Sequence, residues 1–212
     1  MREVEAFFDS IAGEYDRAYI RPVDMAEDSL TATVLYRHIA KGDYVLDVGC
    51  GTGHTLMMVQ PSHYVGVDIS RGMLRRAESR WPRMSFALCN MEDLSDFRGF
   101  DVLTCLNGVG LYAKDFEKLV EELCVTTTRA VVMSMPLPAQ RGRKVISNGG
   151  PGESYLSLSQ ILKPFERYFN EVRVTTYSSW LHDRLSAKML GTVGVRWPRW
   201  ARPYYCIVEG TL

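Results

Sequence analysis

Val45-Leu46-Asp47-Val48-Gly49-Cys50-Gly51-Thr52-Gly53 is the stretch that decides how this chain reads. A short apolar run, Tyr44-Val45-Leu46-Asp47-Val48, stops at a cluster of three glycines. Glycine has no Cβ, so the backbone can turn at φ > 0 and a ligand can approach it closely. The pattern therefore predicts a first strand turning sharply into a helix. Four further apolar runs follow at 64–69, 84–88, 100–106 and 130–135. Such near-continuous apolar strands suit a parallel sheet covered on both faces. Helical periodicity falls between several of them, over 72–81 (ended by Pro82) and over 114–124. Segments 171–177 and 204–209 read as two last strands. The expected fold is α/β: a doubly wound, mostly parallel seven-stranded sheet with helices on both faces.

Outward from this core, Val4, Phe7, Phe8 and Ile11 share one helical face, and Gly13 interrupts the pattern. A second helix is expected over 23–40, with Leu30, Val34, Leu35 and Ile39 on its apolar side and Lys41-Gly42-Asp43 as the turn after it. A helix over 158–169 should be kinked by Pro164. Segment 178–203 is long for a loop and is expected to fold over something. The 212 residues suffice for one domain with a substantial core. The reading is a single domain, 1–212, with a helical lid (1–40), a cofactor-binding core (44–138) and a C-terminal substrate-shaping part (139–212).

Hydrophobic residues make up 46% of the chain and charged ones 24%, which argues against disorder. Lys+Arg and Asp+Glu are both 25, so nothing suggests a grip on nucleic acid by bulk charge. No apolar run approaches the ~20 residues of a membrane helix. Met1-Arg2-Glu3-Val4-Glu5 does not begin a secretory signal. Cys50, Cys89, Cys105, Cys124 and Cys206 form no CxxC pair and read as free thiols in a cytoplasmic protein. No metal site is expected.

In an open α/β sheet, ligands bind beyond the carboxyl ends of the strands, which is where the glycine loop lies. A dinucleotide fingerprint would be GxGxxG, but counting from Gly49 the third glycine position holds His54, and Gly53 arrives one residue early. Asp47 just before the glycines would repel a pyrophosphate. A ligand with an ammonium and a sulfonium, such as S-adenosylmethionine, tolerates a carboxylate there. Asp68 ends the second run about 20 residues on, where an acid can accept hydrogen bonds from both ribose hydroxyls. The competing role, N-cap of the next helix, can fall to Ser70.

As a set, these residues resemble the class I S-adenosylmethionine-dependent methyltransferases, particularly the small-molecule branch of the ubiquinone/menaquinone-biosynthesis type. The matching pieces are Phe8-Asp9-Ser10-Ile11-Ala12-Gly13-Glu14-Tyr15-Asp16, the glycine loop, and Val65-Gly66-Val67-Asp68-Ile69-Ser70 with Met73-Leu74. Asn90-Met91-Glu92-Asp93-Leu94 and Phe100-Asp101-Val102-Leu103 complete the match. The resemblance implies a Rossmann-like sheet and S-adenosyl-L-methionine as cofactor. It implies that Gly49, Gly51 and Gly53 line the methionine and ribose side, that Asp68 holds the ribose, and that Ile69 and Met73 pack on the adenine. Asn90 stands where the family usually has an Asp for the adenine amino group, and its amide oxygen can still accept. Met91 would give a backbone N–H to the ring, and Cys105 or Leu106 a carbonyl to the methionine ammonium. Tyr15 would close over the methionine end.

The sulfonium already makes the methyl electrophilic, so the protein must hold an acceptor in line and exclude water. Family members often carry histidines after the fourth strand; here Asn107-Gly108-Val109-Gly110-Leu111-Tyr112 stands instead, and no base is implied there. His182 and Tyr19 are the weak catalytic candidates. His54 begins the helix after the glycine loop, within reach of the methionine end, while His38 and His63 read as structural. Segment 178–203 carries Trp180, Trp197 and Trp200 with Arg184, Arg196, Arg199 and Arg202. Such residues suit a planar or anionic acceptor. The expected activity is methyl transfer to a small-molecule acceptor at an O, N or C atom. Two alternatives stay open: RNA methylation, and a non-catalytic S-adenosylmethionine-binding partner subunit. The base-amino motif Asn/Asp-Pro-Pro-Tyr/Phe and the prolyl-cysteine motif are absent after the fourth strand, and an aminopropyl transferase would want an acidic cluster there.

Overall fold

A computed structural model describes residues 2–18, 22–107, 109–137, 153–177 and 205–212. The described strands are β1 (Tyr44–Val48), β2 (His63–Asp68), β3 (Ser85–Leu88), β4 (Phe100–Cys105), β5 (Thr127–Pro136), β6 (Glu171–Tyr177) and β7 (Tyr205–Thr211). They form one sheet in the order β3-β2-β1-β4-β5-β7-β6. Strands β1 to β5 are parallel, and β7 runs antiparallel to both β5 and β6. The doubly wound, mostly parallel Rossmann-like sheet read from the sequence is the observed fold. The order reverses between β1 and β4, so the loops after these two strands splay apart and open a crevice at their carboxyl ends.

Side-chain alternation along the strands sorts the core into two layers. Val45, Val102, Val132 and Ile207 point to one face, where they meet Val34 and Leu35 of α2 (Pro22–His38) and Ile39 just after it. Leu46, Leu103, Val131 and Val208 point to the other. There Leu119, Val120 and Leu123 of α5 (Phe116–Thr126) and Ile161 and Phe165 of α6 (Leu158–Tyr168) cover them. Helix α1 (Arg2–Ile11) lies against α4 (Arg71–Arg80) rather than on the sheet.

The differences from the sequence reading have local causes. The helix after the glycine loop, α3, is a single turn, Thr55–Met58. Val59 returns to extended backbone, and the chain re-enters the sheet at His63. Helix α5 starts two residues later than the periodicity suggests, because Asp115 caps it by accepting from the Lys118 N–H at 3.1 Å. Strand β5 begins at Thr127, where polar Thr-Thr-Arg hides the strand pattern. Helix α6 continues through Pro164, which is buried, and a Ser157/Gln160 capping box satisfies its first turn. No helix among the described residues is long and apolar enough to cross a membrane.

Buried Glu209 on β7 (1% exposed) is held from α2: His38 Nε2 lies 2.7 Å and Arg37 Nη1 3.3 Å from its carboxylate. This gives His38 a structural place, as read. None of the five cysteines is in a disulfide; Cys50, Cys105 and Cys206 are buried.

Candidate cofactor site

The glycine loop is pinned to the neighbouring strand, since Gly49 and Cys50 both donate their N–H to the Val67 carbonyl, at 2.8 and 3.0 Å. Gly49 and Gly53 have φ of +72° and +77°, which side-chain-bearing residues rarely adopt. A Cβ on Gly49 would stand 2.5 Å from Val109, and one on Gly53 would stand 2.7 Å from the Trp81 ring. Both glycines are therefore demanded twice, by backbone conformation and by close approach.

Beyond the loop lies a cleft that opens to solvent. Asp47, Gly49 and Gly51 form its floor, and Asp68 and Ile69 one wall. Met73 and Met91 supply an apolar side, and Leu106 and Asn107 come from the end of β4. Phe8, Tyr15 and Tyr112 come from outside the sheet. The Phe8 ring meets Tyr15 edge-on at 6.3 Å and Tyr112 at 5.3 Å, so the three form one aromatic group over the cleft.

Most residues singled out from the sequence are brought together here. Gly53 and Asn90 do not line the cleft. Gly53 faces Trp81, so it serves packing behind the loop. The Asn90 amide oxygen accepts from the Glu92 N–H at 3.1 Å, closing a local turn. Tyr19, His182 and segment 178–203 lie outside the described residues.

Two carboxylates are buried in this cleft. Asp47, 1% exposed, accepts from the Tyr64 hydroxyl at 2.7 Å and the Thr104 hydroxyl at 2.6 Å. Burial raises its pKa, and those hydroxyls with Thr55 oppose the rise. Asp68, 9% exposed, accepts from the Ser70 N–H and the Gly51 N–H, each at 2.8 Å. Desolvation nevertheless pushes it to about 6, with the backbone hydrogen bonds working against that and Asp47 adding to it. Ser70 takes the N-cap of α4, accepting from the Met73 N–H at 3.1 Å. Asp68 is thus not spent on capping.

Three acids of the N-terminal segment make contacts around the cleft that the sequence reading did not assign to them. Asp9 accepts from Ser70 Oγ at 2.6 Å and from the Gly72 N–H at 2.7 Å. Asp16 accepts from Thr52 Oγ1 at 2.6 Å and pairs with Arg80 at 2.9 Å. Asp28 on α2 pairs with His54 Nε2 at 2.8 Å. Each ties the N-terminal segment to residues beside the cleft. Asp9 and Asp16 stand in a stretch already matched to the family, but their partners are distant in sequence. His54 itself lines the cleft, and the Asp28 hydrogen bond raises its pKa.

Comparison with known proteins agrees with this arrangement. A family model for a methyltransferase domain matches residues 45–129. An uncharacterised protein of Methanocaldococcus jannaschii is 35% identical over 97 residues, 42% of this chain and 26% of that protein. A demethylmenaquinone methyltransferase of Symbiobacterium thermophilum is 36% identical over 83 residues, 36% of this chain and 33% of the relative. The matched stretch thus spans about a quarter to a third of the length of these curated relatives. The magnesium protoporphyrin IX methyltransferase of Synechocystis PCC 6803, with bound S-adenosylhomocysteine, shares the fold. Its TM-score is 0.70 at 18% identity, over 98% of this chain and 97% of that one. Residues 45–129 of the chain are thus similar to a methyltransferase domain, and its sheet has the fold of class I S-adenosylmethionine-dependent methyltransferases.

Proposed function

We propose that this protein transfers a methyl group from S-adenosylmethionine to a small-molecule acceptor, at an oxygen, nitrogen or carbon nucleophile. The observation that carries the reading is the cleft itself. It combines a glycine turn, a buried carboxylate at the end of β2, and an aromatic cover, all at the point where the strand order reverses. The residues fit the ligand's chemistry. Asp68 would hold the ribose hydroxyls, and each hydrogen bond would help offset the cost of its burial. Ile69, Met73 and Met91 would flank the adenine. Gly49 and Gly51 leave room for close backbone approach, and the Leu106 carbonyl would meet the ammonium. When bound, the cofactor supplies an electrophilic methyl on its sulfonium. Phe8, Tyr15 and Tyr112 would exclude water from the methyl and keep the acceptor in line.

A small-molecule acceptor is favoured over RNA by the lining. Among the described residues, the cleft has no Lys or Arg to meet a phosphate backbone. The first test is calorimetry with S-adenosylmethionine, S-adenosylhomocysteine and NAD, which should show binding of the first two alone. NAD binding without S-adenosylmethionine binding would overturn the reading. The second test supplies radiolabelled methyl donor with either a small-metabolite extract or bulk tRNA and rRNA. Label entering the RNA, with activity falling steeply as salt rises, would transfer the function to RNA.

A further inference from the structure

The cleft is acidic. Asp16, Asp47 and Asp68 all line it, and among the described lining residues His54 is the only basic side chain. S-adenosylmethionine and S-adenosylhomocysteine each bring a carboxylate on their amino-acid end. Entering such a cleft, that carboxylate meets like charges and loses water, which is costly without a cation. We propose that His54, held by Asp28, is the residue that receives the amino-acid carboxylate and so selects the intact amino-acid ligand over adenosyl thioethers that lack it. The proposal rests on the cofactor reading above and assigns a specificity determinant within that site.

The geometry supports the role. His54 follows the last glycine of the loop, which fixes where the ring stands. Its Nε2 lies 2.8 Å from the Asp28 carboxylate, across the junction between the loop and α2. That bond orients the ring and favours its protonated form, while burial opposes it. Two further charged groups among the described residues act on the ring. Asp16, in the turn Tyr15–Ala18, also favours the imidazolium, and Arg80 on α4 disfavours it. Asp47 on β1 senses the ring as a positive neighbour. Asp16 is itself engaged by Thr52 and Arg80, so its negative charge is partly balanced away from the ring. A proton on His54 then offers charge where the cleft otherwise offers carboxylates.

The test is calorimetry on the whole protein with S-adenosylhomocysteine and with its decarboxylated analogue, which keeps the amine. His54→Gln should weaken S-adenosylhomocysteine binding about tenfold, the scale of one hydrogen bond to a charged group, and leave the analogue's affinity unchanged. The ratio of the two affinities isolates the carboxylate and cancels any titration of Asp68. In the wild type this ratio should fall as pH rises through the His54 pKa, above 6.5. In Asp28→Asn the fall should come at lower pH, a response that a purely structural pair would not give. Equal loss for both ligands in His54→Gln, or no loss for either, overturns the proposal. A ratio that does not change with pH in the wild type does so too. If the wild type binds neither ligand, the cofactor reading itself fails and the proposal falls with it.

Discussion

Replacing Asp68 with Asn probes the strain of the unliganded cleft. The carboxyl is buried and pushed from its ordinary 3.8 to about 6. A displacement of that size corresponds to about 3 kcal/mol of preference for the neutral form in the folded state. The sign follows from proton counting. Between pH ~4 and ~6 the folded protein holds a proton on Asp68 that the unfolded chain has released. The stabilisation from this group is therefore complete below the unfolded pKa and is lost as pH rises through about 6. In Asp68→Asn nothing titrates at this position. The difference in unfolding free energy, wild type minus variant, should then fall by up to about 3 kcal/mol between pH 4 and pH 7. Asp9, Asp43 and Asp93, all held below their ordinary value, pull the other way but cancel in the difference. Asn cannot offer two oxygens to the Ser70 and Gly51 N–H groups, which adds an offset independent of pH, so only the slope is diagnostic. Urea titrations of the ligand-free proteins, followed by tryptophan fluorescence, read it directly. A difference that stays level or rises with pH would refute the reasoning.

Gly53→Ala forces a Cβ into the left-handed region and against Trp81 2.7 Å away. It should cost about 2–5 kcal/mol in urea denaturation, from strain plus overpacking, and a loss under 1 kcal/mol would contradict the geometry. His38→Ala removes the nearer partner of buried Glu209 and should destabilise by about 1–3 kcal/mol. Removing Arg37 as well should bring the loss toward about 3–5 kcal/mol, and an unchanged thermal midpoint would contradict the pairing. Asp9→Ala should strip hydrogen-exchange protection from α1 while β1 and β4 stay protected, because its carboxylate bonds join α1 to the start of α4. Equal loss across the sheet would mean that α1 is not a separately fastened unit.

The sheet and the cofactor loop were legible because their signals are local. Each buried strand is a short apolar run, and the glycine spacing encodes one backbone turn. Asp68 was legible for the same reason, standing at a fixed distance from that turn. What escaped is contact between distant segments. Gly53 also packs close to the Trp81 ring and Asn90 also accepts from the Glu92 N–H, and neither partner is signalled by spacing. Thr127 and Thr128 conceal the start of β5 because the strand's opening residues are polar; the Thr127 hydroxyl has the Asp101 carbonyl at 3.0 Å and the Ala130 carbonyl at 3.1 Å as alternative acceptors. The acids of the N-terminal segment read as solvated charges, since their partners Ser70, Thr52 and His54 lie 61, 36 and 26 residues away.

Those three acids also bear on how the cleft can open. Asp9 reaches the loop after β2, while Asp16 and Asp28 reach the loop after β1. The same two loops carry Asp68 and the glycines, so the N-terminal segment and the cleft lining share their supports. A charged hydrogen bond contributes about 1.5–3 kcal/mol when sheltered from water, and much less when exposed. The Asp9 carboxylate is largely solvent-facing, and Asp16 and Asp28 are partly so. Breaking them one at a time is then inexpensive, whereas releasing all three together is not. This favours opening by stepwise detachment of the N-terminal segment over a single hinge motion. Asp16→Ala and Asp28→Ala should each speed S-adenosylhomocysteine release in stopped-flow measurements by a few-fold. The double variant should then show a rate increase close to the product of the two. A double variant no faster than either single would show that the two contacts break as one.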